Sequence, residues 1–468
     1  MKKLFFTALF MSATSLFFAQ SNTSVVSSTG NANTVTVDQT GLTNTSDVLQ
    51  LGDTNIADVD QVGTSNGSDI DQIGNLNDAT VMQVGNTNGS IQSQTGISNT
   101  AMTDQLGNGN TASQHQTGDT NDADIDQDGD TNTASQVQIG DANTAGAIQD
   151  GDINTSSQLQ VGDSNDADTD QVGMLNNATQ SQNGMLNDAN AVQHGDSNVA
   201  TQSQTGDSND ADIYQGQTFN TAVQTQVGDS NKALAFQNDL SLGGSNLSTQ
   251  TQTGDDNDAT VDQGMFYAFG NVASQNQIGN DNVAYAFQTG NTNISREIQV
   301  GDDNDSNVNQ DGDNNHSGTS VAPSPPLTYS AYGQYGDRNT ADTDQTGDWN
   351  TSDIYQEGDD NDAKSEQIGD HNTALVITLG DSNHDDLSST GDWNTNLSRQ
   401  FGDGNSVDSD QIGNLNISSA IQQGDNNTVL SLQNGNSNYS LTNQSGQGHS
   451  NTVNQVGNTN SSIVNQSN

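Results

Sequence analysis

A glutamine recurs every eleven residues, at Gln39, Gln50, Gln61, Gln72, Gln83, Gln94, Gln105, Gln116, Gln127 and Gln138, and on to Gln237, eighteen intervals without a slip. A register held this strictly marks a repeat architecture in which each short unit stacks on its neighbours. Each unit reads QxGxxNxAxxx. A Gly follows the Gln by two residues, at Gly52, Gly63, Gly74, Gly85, Gly96, Gly107, Gly118 and Gly129. An Asn follows that Gly by three, at Asn55, Asn66, Asn77, Asn88, Asn99, Asn110, Asn121 and Asn132. Within a unit, Asn121, Ala123, Ile125 and Gln127 alternate with Asp122, Asp124 and Asp126, the period-two pattern of a strand with one face in and one face out. Gly129, Asp130 and Thr131 then supply the turn.

The slot two residues before the repeating Gln shows that eleven is half of the true period. It holds Gln92, Gln114, Gln136, Gln158, Gln180, Gln202 and Gln224, each 22 apart, while the alternate units carry Val81, Thr103, Ile125, Ala147, Thr169, Ala191 and Ile213. Two kinds of strand therefore alternate. The simplest object that sets like residues above like is an all-β β-solenoid of two-strand coils, 22 residues per coil, stacked about 4.8 Å apart. Its interior is cross-β-like. A buried amide costs a few kcal/mol unless paired, and identical Gln or Asn side chains stacked in register pair with the rungs above and below. The Gln and Asn residues named above are thus expected to be structural ladders, and the eight glycines to be turn residues.

Three interruptions leave the repeat intact on their far side. Gln237 to Gln252 is 15 residues, Gln263 to Gln277 is 14, and Gln310 to Gln334 is 24, two beyond two units. The third contains every proline of the chain, Pro323, Pro325 and Pro326, and reads as a bulge or as a seam between two solenoid blocks. From Gln334 to Gln466 the spacing resumes, with Thr378 and Ser389 in two Gln slots, for 38 slots or 19 coils in all and a stack on the order of 90 Å long. The expected divisions are a signal peptide over 1–20, a short leader over 21–29, a solenoid over 30–318 with inserts near 238–244 and 264–270, the Pro-containing insert over 319–333, and continued solenoid over 334–468. The repeat reaches the last residues, and neither end offers a capping domain, so unpaired strand edges are expected at both.

Composition supports this reading. Only 28% of residues are hydrophobic and 4% aromatic, too little for conventional oily cores, so the interior must be held by something other than hydrocarbon. Lys2 and Lys3 precede an apolar run from Leu4 to Ala19 that is too short to span a bilayer, the form of a secretory signal. No later segment is apolar enough to cross a membrane as a helix, so no integral membrane protein is expected. Cysteine is absent, which leaves no disulfides or thiolate metal sites. The formal charge of −52 becomes −54 once Lys2 and Lys3 are removed, and such a chain is a poor partner for nucleic acid.

Candidate sites are few. Asp119, Asp141 and Asp163 occupy the same turn on successive coils, where neighbours about 4.8 Å apart repel by roughly 1 kcal/mol in water-like dielectric. They form the only place where Ca²⁺ is a candidate, and otherwise read as solvated turn residues with no cofactor. Outward Asp124, Asp168 and Asp212 are spaced more widely, and the surface as a whole reads as acidic and mixed, without the regular Thr columns that ice binding would favour. His115, His194 and His371 read as surface residues, and in the run His384, Asp385, Asp386 neighbours point to opposite faces. Trp349 and Trp393 share one turn column two rungs apart and read as incidental turn residues, with a grip on carbohydrate or another surface as the alternative. No catalytic arrangement stands out, and no enzyme is expected.

The QxGxxNxAxxxQ unit, as at Gln116 to Gln127 and Gln160 to Gln171, resembles the curlin repeat of curli fibre subunits, over nearly all of the chain after its first twenty residues. The resemblance implies a secreted bacterial structural protein at the cell surface. It also implies self-assembly into an amyloid-like fibre for adhesion and biofilm matrix, with a dedicated outer-membrane export pore and a minor nucleator subunit as partners. Familiar curlins have far fewer repeats and often open one strand with Ser, whereas this chain opens both mostly with Asn. A monomeric acidic solenoid, serving as an adhesin or an ice- or mineral-binding rod, is the alternative.

Overall fold

A computed structural model describes residues 21–237, 244–264, 268–318 and 333–467. The proposed signal over 1–20 and the prolines lie outside these residues. The described chain is all β, forty strands in two parallel sheets with no helix among them. Sheet I begins with β1 (Thr23–Thr29) paired to β3 (Thr45–Leu51), and sheet II with β2 (Thr34–Leu42) paired to β4 (Ile56–Thr64). Each residue lies opposite the one 22 further on, as Gln39 does opposite Gln61 and Ser28 opposite Gln50. Successive strands alternate between the sheets, so one coil is one rung of each.

The two-fold alternation sorts every strand the same way. In β10 (Asp122–Asp128), Ala123, Ile125 and Gln127 are buried and the four Asp are exposed. The interior is thin and mostly polar: an Asn, a small residue, a variable residue and a Gln from each strand meet their counterparts from the opposite sheet. Apolar clusters are local, Val48, Val59, Ile70 and Val81 near the start, and Ile354, Val376, Leu387, Val407 and Val429 in the later coils.

The turns explain the invariant spacing. Gly118 has φ 128° and Thr120 has φ 60°, and this pair of positive-φ residues recurs around the turn columns. Gly118 also lies so close to the next coil that an added Cβ would overlap the carbonyl oxygen of Gly140. A side chain is therefore excluded there twice, by backbone conformation and by the rung above. Gly52, Gly63, Gly74, Gly85, Gly96, Gly107 and Gly129 share that geometry.

Two expectations change. The stretch over 21–29 is the first rung of sheet I and not a separate leader, with Ser28 in the Gln column donating to Gln50 Oε1 at 3.1 Å. Gln310 and Gln334 are neighbours in the coil order, not two units apart. A single rung of sheet I is shared by two short strands, β27 (His316–Ser317) and β28 (Gly333–Tyr335). The ladders pass this point unbroken, Gln299 to Gln334 at 3.0 Å, Gln334 to Gln356 at 3.1 Å and Gln310 to Gln345 at 2.8 Å. The described coils on its two sides therefore form one continuous stack, with no seam between two blocks. The inserts after Gln237 and Gln263 fall between strands and are likewise spanned, Gln237 to Gln263 at 2.9 Å and Gln263 to Gln288 at 2.7 Å.

Candidate functional site: amide ladders and two unlike outer faces

In both sheets the repeating Gln amides before the Pro-containing insert donate forward to the Oε1 one coil on. Sheet II runs Gln39, Gln61, Gln83, Gln105, Gln127 and Gln149 at 2.8 Å per step. Sheet I runs Gln50, Gln72, Gln94, Gln116, Gln138 and Gln160 at 2.9–3.0 Å. The second amide hydrogen crosses the interior: Gln50 donates to the carbonyl of Thr34 and Gln61 to that of Thr45. One side chain thus ties a rung both to its successor and to the opposite sheet. These charge-free hydrogen bonds satisfy groups that are essentially fully buried.

The Asn columns use the backbone more than each other. Asn55 and Asn66 take the backbone N–H of Asn77 and Asn88 on their Oδ1 atoms. Their amides reach into the turn of the next coil, Asn55 to Gly74 O at 2.8 Å, Asn66 to Gly85 O at 3.0 Å, Asn77 to Gly96 O at 3.1 Å and Asn88 to Gly107 O at 2.9 Å. Asn99, Asn110, Asn121 and Asn132 do the same to Gly118, Gly129, Gly140 and Gly151. Direct Asn-to-Asn side-chain bonds join Asn99 to Asn77 and Asn121 to Asn99 in sheet II.

The turn aspartates form a third column. Asp141 Oδ1 accepts the backbone N–H of Asp119 at 2.8 Å, and Asp163 Oδ1 accepts that of Asp141 at 2.9 Å. Each carboxylate caps the amide of the coil before it, which favours Asp or Asn in that slot, although Ile97, Met174 and Met185 also occupy it. Among the described residues no three His, Asp or Glu side chains gather as a metal-binding group.

The outer surface is not mixed. From β7 (Gly89–Ile97) to β23 (Val272–Ile278), nine consecutive rungs of sheet I show Ser, Thr, Val, Ile, Leu, Asn and Gly outward, with His115 the only ionisable side chain on the strands. Thr111, Thr133, Thr155 and Thr221 lie along one of its columns, and Ser113, Ser135, Ser157, Thr179 and Thr201 along the next. The interleaved strands of sheet II carry Asp on all but one rung. Burial there, with Asp166, Asp210, Asp212 and Asp168 around it, pushes Asp188 up to about 6. Burial and then Asp126 raise Asp124, burial and then Asp166 raise Asp168, and burial and then Asp210 raise Asp212. The expectation of a mixed acidic surface is therefore corrected over these rungs: dealing alternate units to opposite faces leaves one neutral, hydroxyl-rich face, none of whose columns is Thr throughout, and one acidic face.

Other candidates resolve into structure. His371 stands between Trp349 and Trp393, with ring centroids 6.1 and 4.1 Å away and planes within 21° and 19°, so it covers the faces the two indoles turn toward each other. His194 lies 3.7 Å from Asp170 and His384 lies 3.1 Å from Asp362, both exposed pairs. Asp385 points inward from the same strand as His384, bonded to Thr378 Oγ1 at 2.9 Å and to Ser398 Oγ, and burial pushes it up to about 6. Glu297 continues the inner Gln column of sheet I, is fully buried, and is pushed up to about 8 chiefly by that burial. It borders a cavity of about 30 Å³ beside the rung shared by β27 and β28. The repeat could have placed it, since counting 22 from Gln275 arrives at 297.

The model for the curlin associated repeat matches at residues 30–63, 96–129, 187–216 and 336–364. No curated protein matches the chain. The matched segments lie on both sides of the Pro-containing insert and fall on the coils whose Gln, Gly and Asn columns are described above; the chain carries curlin associated repeats at these four regions.

Proposed function

We propose that this chain is the structural, non-enzymatic subunit of a secreted curli-like amyloid fibre that serves surface adhesion and the biofilm matrix. One observation carries the reading. Among the described strands, β1 at one end of sheet I and β40 (Ser461–Ser467) at the other pair on one side only. The edges they leave open match the interior rungs and each other: Ser24, Val26 and Ser28 at one end, Ser462, Val464 and Gln466 at the other. An open edge in register with a ladder is a template for a further copy. Export through an outer-membrane pore and a nucleating subunit belong to the same reading, drawn from the family. The ladders call on no bound ion, so a chelator is expected to leave assembly unchanged.

The test is to incubate the chain without residues 1–20 at neutral pH and follow Thioflavin T, electron microscopy and fibre diffraction. Growth seeded by preformed fibres, with a reflection near 4.7 Å, is the expected result. Monodisperse single rods with strand circular dichroism would overturn the fibre and leave a monomeric solenoid adhesin.

A further inference from the structure

We infer that the neutral face of sheet I is a self-association surface on which a second copy of this chain lies face to face, with the two solenoid axes antiparallel. The chain carries 59 acidic residues, yet nine successive rungs of this face bear none. Solubility alone does not require that sorting, because acids would serve equally well on both faces. A face meant to be covered does require it, since each buried unpaired carboxylate costs several kcal/mol. Short hydroxyl and β-branched side chains in straight columns are also the kind that interdigitate when two sheets close on each other. Nine rungs at about 4.8 Å and seven residues at about 3.3 Å make a face of about 1,000 Å². Each partner of a stable pair commonly covers roughly 800 Å².

The charges that bound the neutral span set the orientation. Asp69 and Asp71 project from β5 (Gly67–Asn75), the rung just before it, and Arg296 projects from β25 (Ile294–Val300), the rung just after it. Its middle rung is β15 (Asn177–Asn183), five rungs from each. A two-fold axis parallel to the strands through β15 keeps the position along the strand and inverts the rung order. It therefore sets Arg296 of one copy opposite Asp69 of the other, twice over by symmetry. A parallel arrangement would set Asp against Asp and Arg against Arg.

This pairing is independent of end-to-end growth, so its test reads lateral mass separately from length. For the chain without residues 1–20, sedimentation of the soluble form is expected to give the mass of two copies, and cryo-electron microscopy of any filament a cross-section of two solenoids. Thr179→Asp with Thr201→Asp is expected to reduce both to one. Ile148→Asp with Met102→Asp, which adds the same charge to sheet II, is expected to leave them at two. Arg296→Asp should weaken the pair at least tenfold, and adding Asp69→Arg should restore it. A single-solenoid cross-section in the parent, or pairing indifferent to the sheet I aspartates, overturns the inference. Failure of the charge swap to rescue overturns the antiparallel register. A rod that stays single while its neutral face shapes growing ice crystals would also overturn it, assigning the face to a hydroxyl lattice.

Discussion

The coils before and after the Pro-containing insert solve the same burial problem differently. In the earlier block the variable inner slot of sheet I is, from Gln92 to Gln275, a second unbroken Gln column, in which Gln92 donates to Gln114 at 2.9 Å, Gln114 to Gln136 at 3.1 Å and Gln136 to Gln158 at 2.9 Å. In the later block the equivalent slots hold Ile354, Val376, Ser398 and Ala420, and the repeating Gln columns are interrupted by Thr378 in sheet I and by Ser389 in sheet II. Ser389 still donates to Gln411 Oε1 at 3.1 Å, but Thr378 turns to Asp385, and Gln400 Oε1 is left without a partner. The amides of Asn394, Asn405 and Asn416 are unpaired too. An amide ladder therefore has its costs at its ends and breaks, and a long uninterrupted ladder is the economical form.

The largest effect should come from putting charge into the intact ladder. Gln127→Lys with Gln171→Lys buries two ammonium groups and removes bonds to both neighbours, a loss of about 3 kcal/mol or more at each site. Strand circular dichroism and assembly are expected to fail together. Asp126→Asn, one residue away but facing out, should change neither. Equal damage from both would break the assigned register.

Next is repair of the later block. Thr378→Gln with Asp385→Ala restores the usual residues in both slots and gives Gln400 its missing donor, for a gain of about 2 kcal/mol. Hydrogen exchange of the coils around 373–401 would read it locally, because stability in a stack of repeats is local. The gain should grow with pH. Asp385 is held at about 6, above its ordinary 3.8, so the folded state keeps a proton that the unfolded chain has released. Its burden is absent below pH 4 and is complete above pH 6.

Glu297 makes the same point within the earlier block. With its carboxyl at about 8 against an ordinary 4.5, the folded coil holds an extra proton between those values. Stability there should fall as pH rises through that window, by up to about 1.4 kcal/mol per pH unit. Glu297→Gln, the residue its column otherwise carries, should remove the slope, leaving little change at pH 4 and a clear gain at pH 9. A slope that survives the substitution would move the effect to the crowded aspartates of sheet II.

How much of this was legible follows from how the information is carried. The period, the alternation of two strand types, the Gln columns and the turn glycines could all be read, because a one-residue slip would turn every inward group out. The first rung was hidden because Ser28 stands where the column has Gln. Gln250 and Gln275 were hidden by two inserts that shift the count without disturbing the stack, whereas Glu297, 22 residues beyond Gln275, was within reach of that count. The contrast between the outer faces was hidden for another reason: outward residues carry no ladder constraint, so they show a pattern only after alternate units are dealt to opposite sheets. His371 between two Trp residues is the same case at a turn, 22 residues from each.

The smallest prediction concerns the turns common to both blocks. After each turn Gly or Asp comes a residue held at φ near +60°, and at Ile153, with φ 60°, that residue is β-branched and exposed. For an L-residue this conformation costs about 1–2 kcal/mol, whereas glycine adopts it freely but loses about 0.5–1 kcal/mol more conformational entropy on folding. Ile153→Gly should therefore stabilise its coil by about 0.5–1 kcal/mol, read as slower hydrogen exchange at Asn154 and Thr155. Gly109, Gly404 and Gly448 already occupy that slot at φ 72°, 65° and 69°, one before the insert and two after it, so the turn tolerates glycine in either block. A loss on substitution would mean that the isoleucine side chain contributes more through its neighbours in the turn column than its backbone strain costs. The comparison between blocks would then extend from the ladders inside to the columns outside.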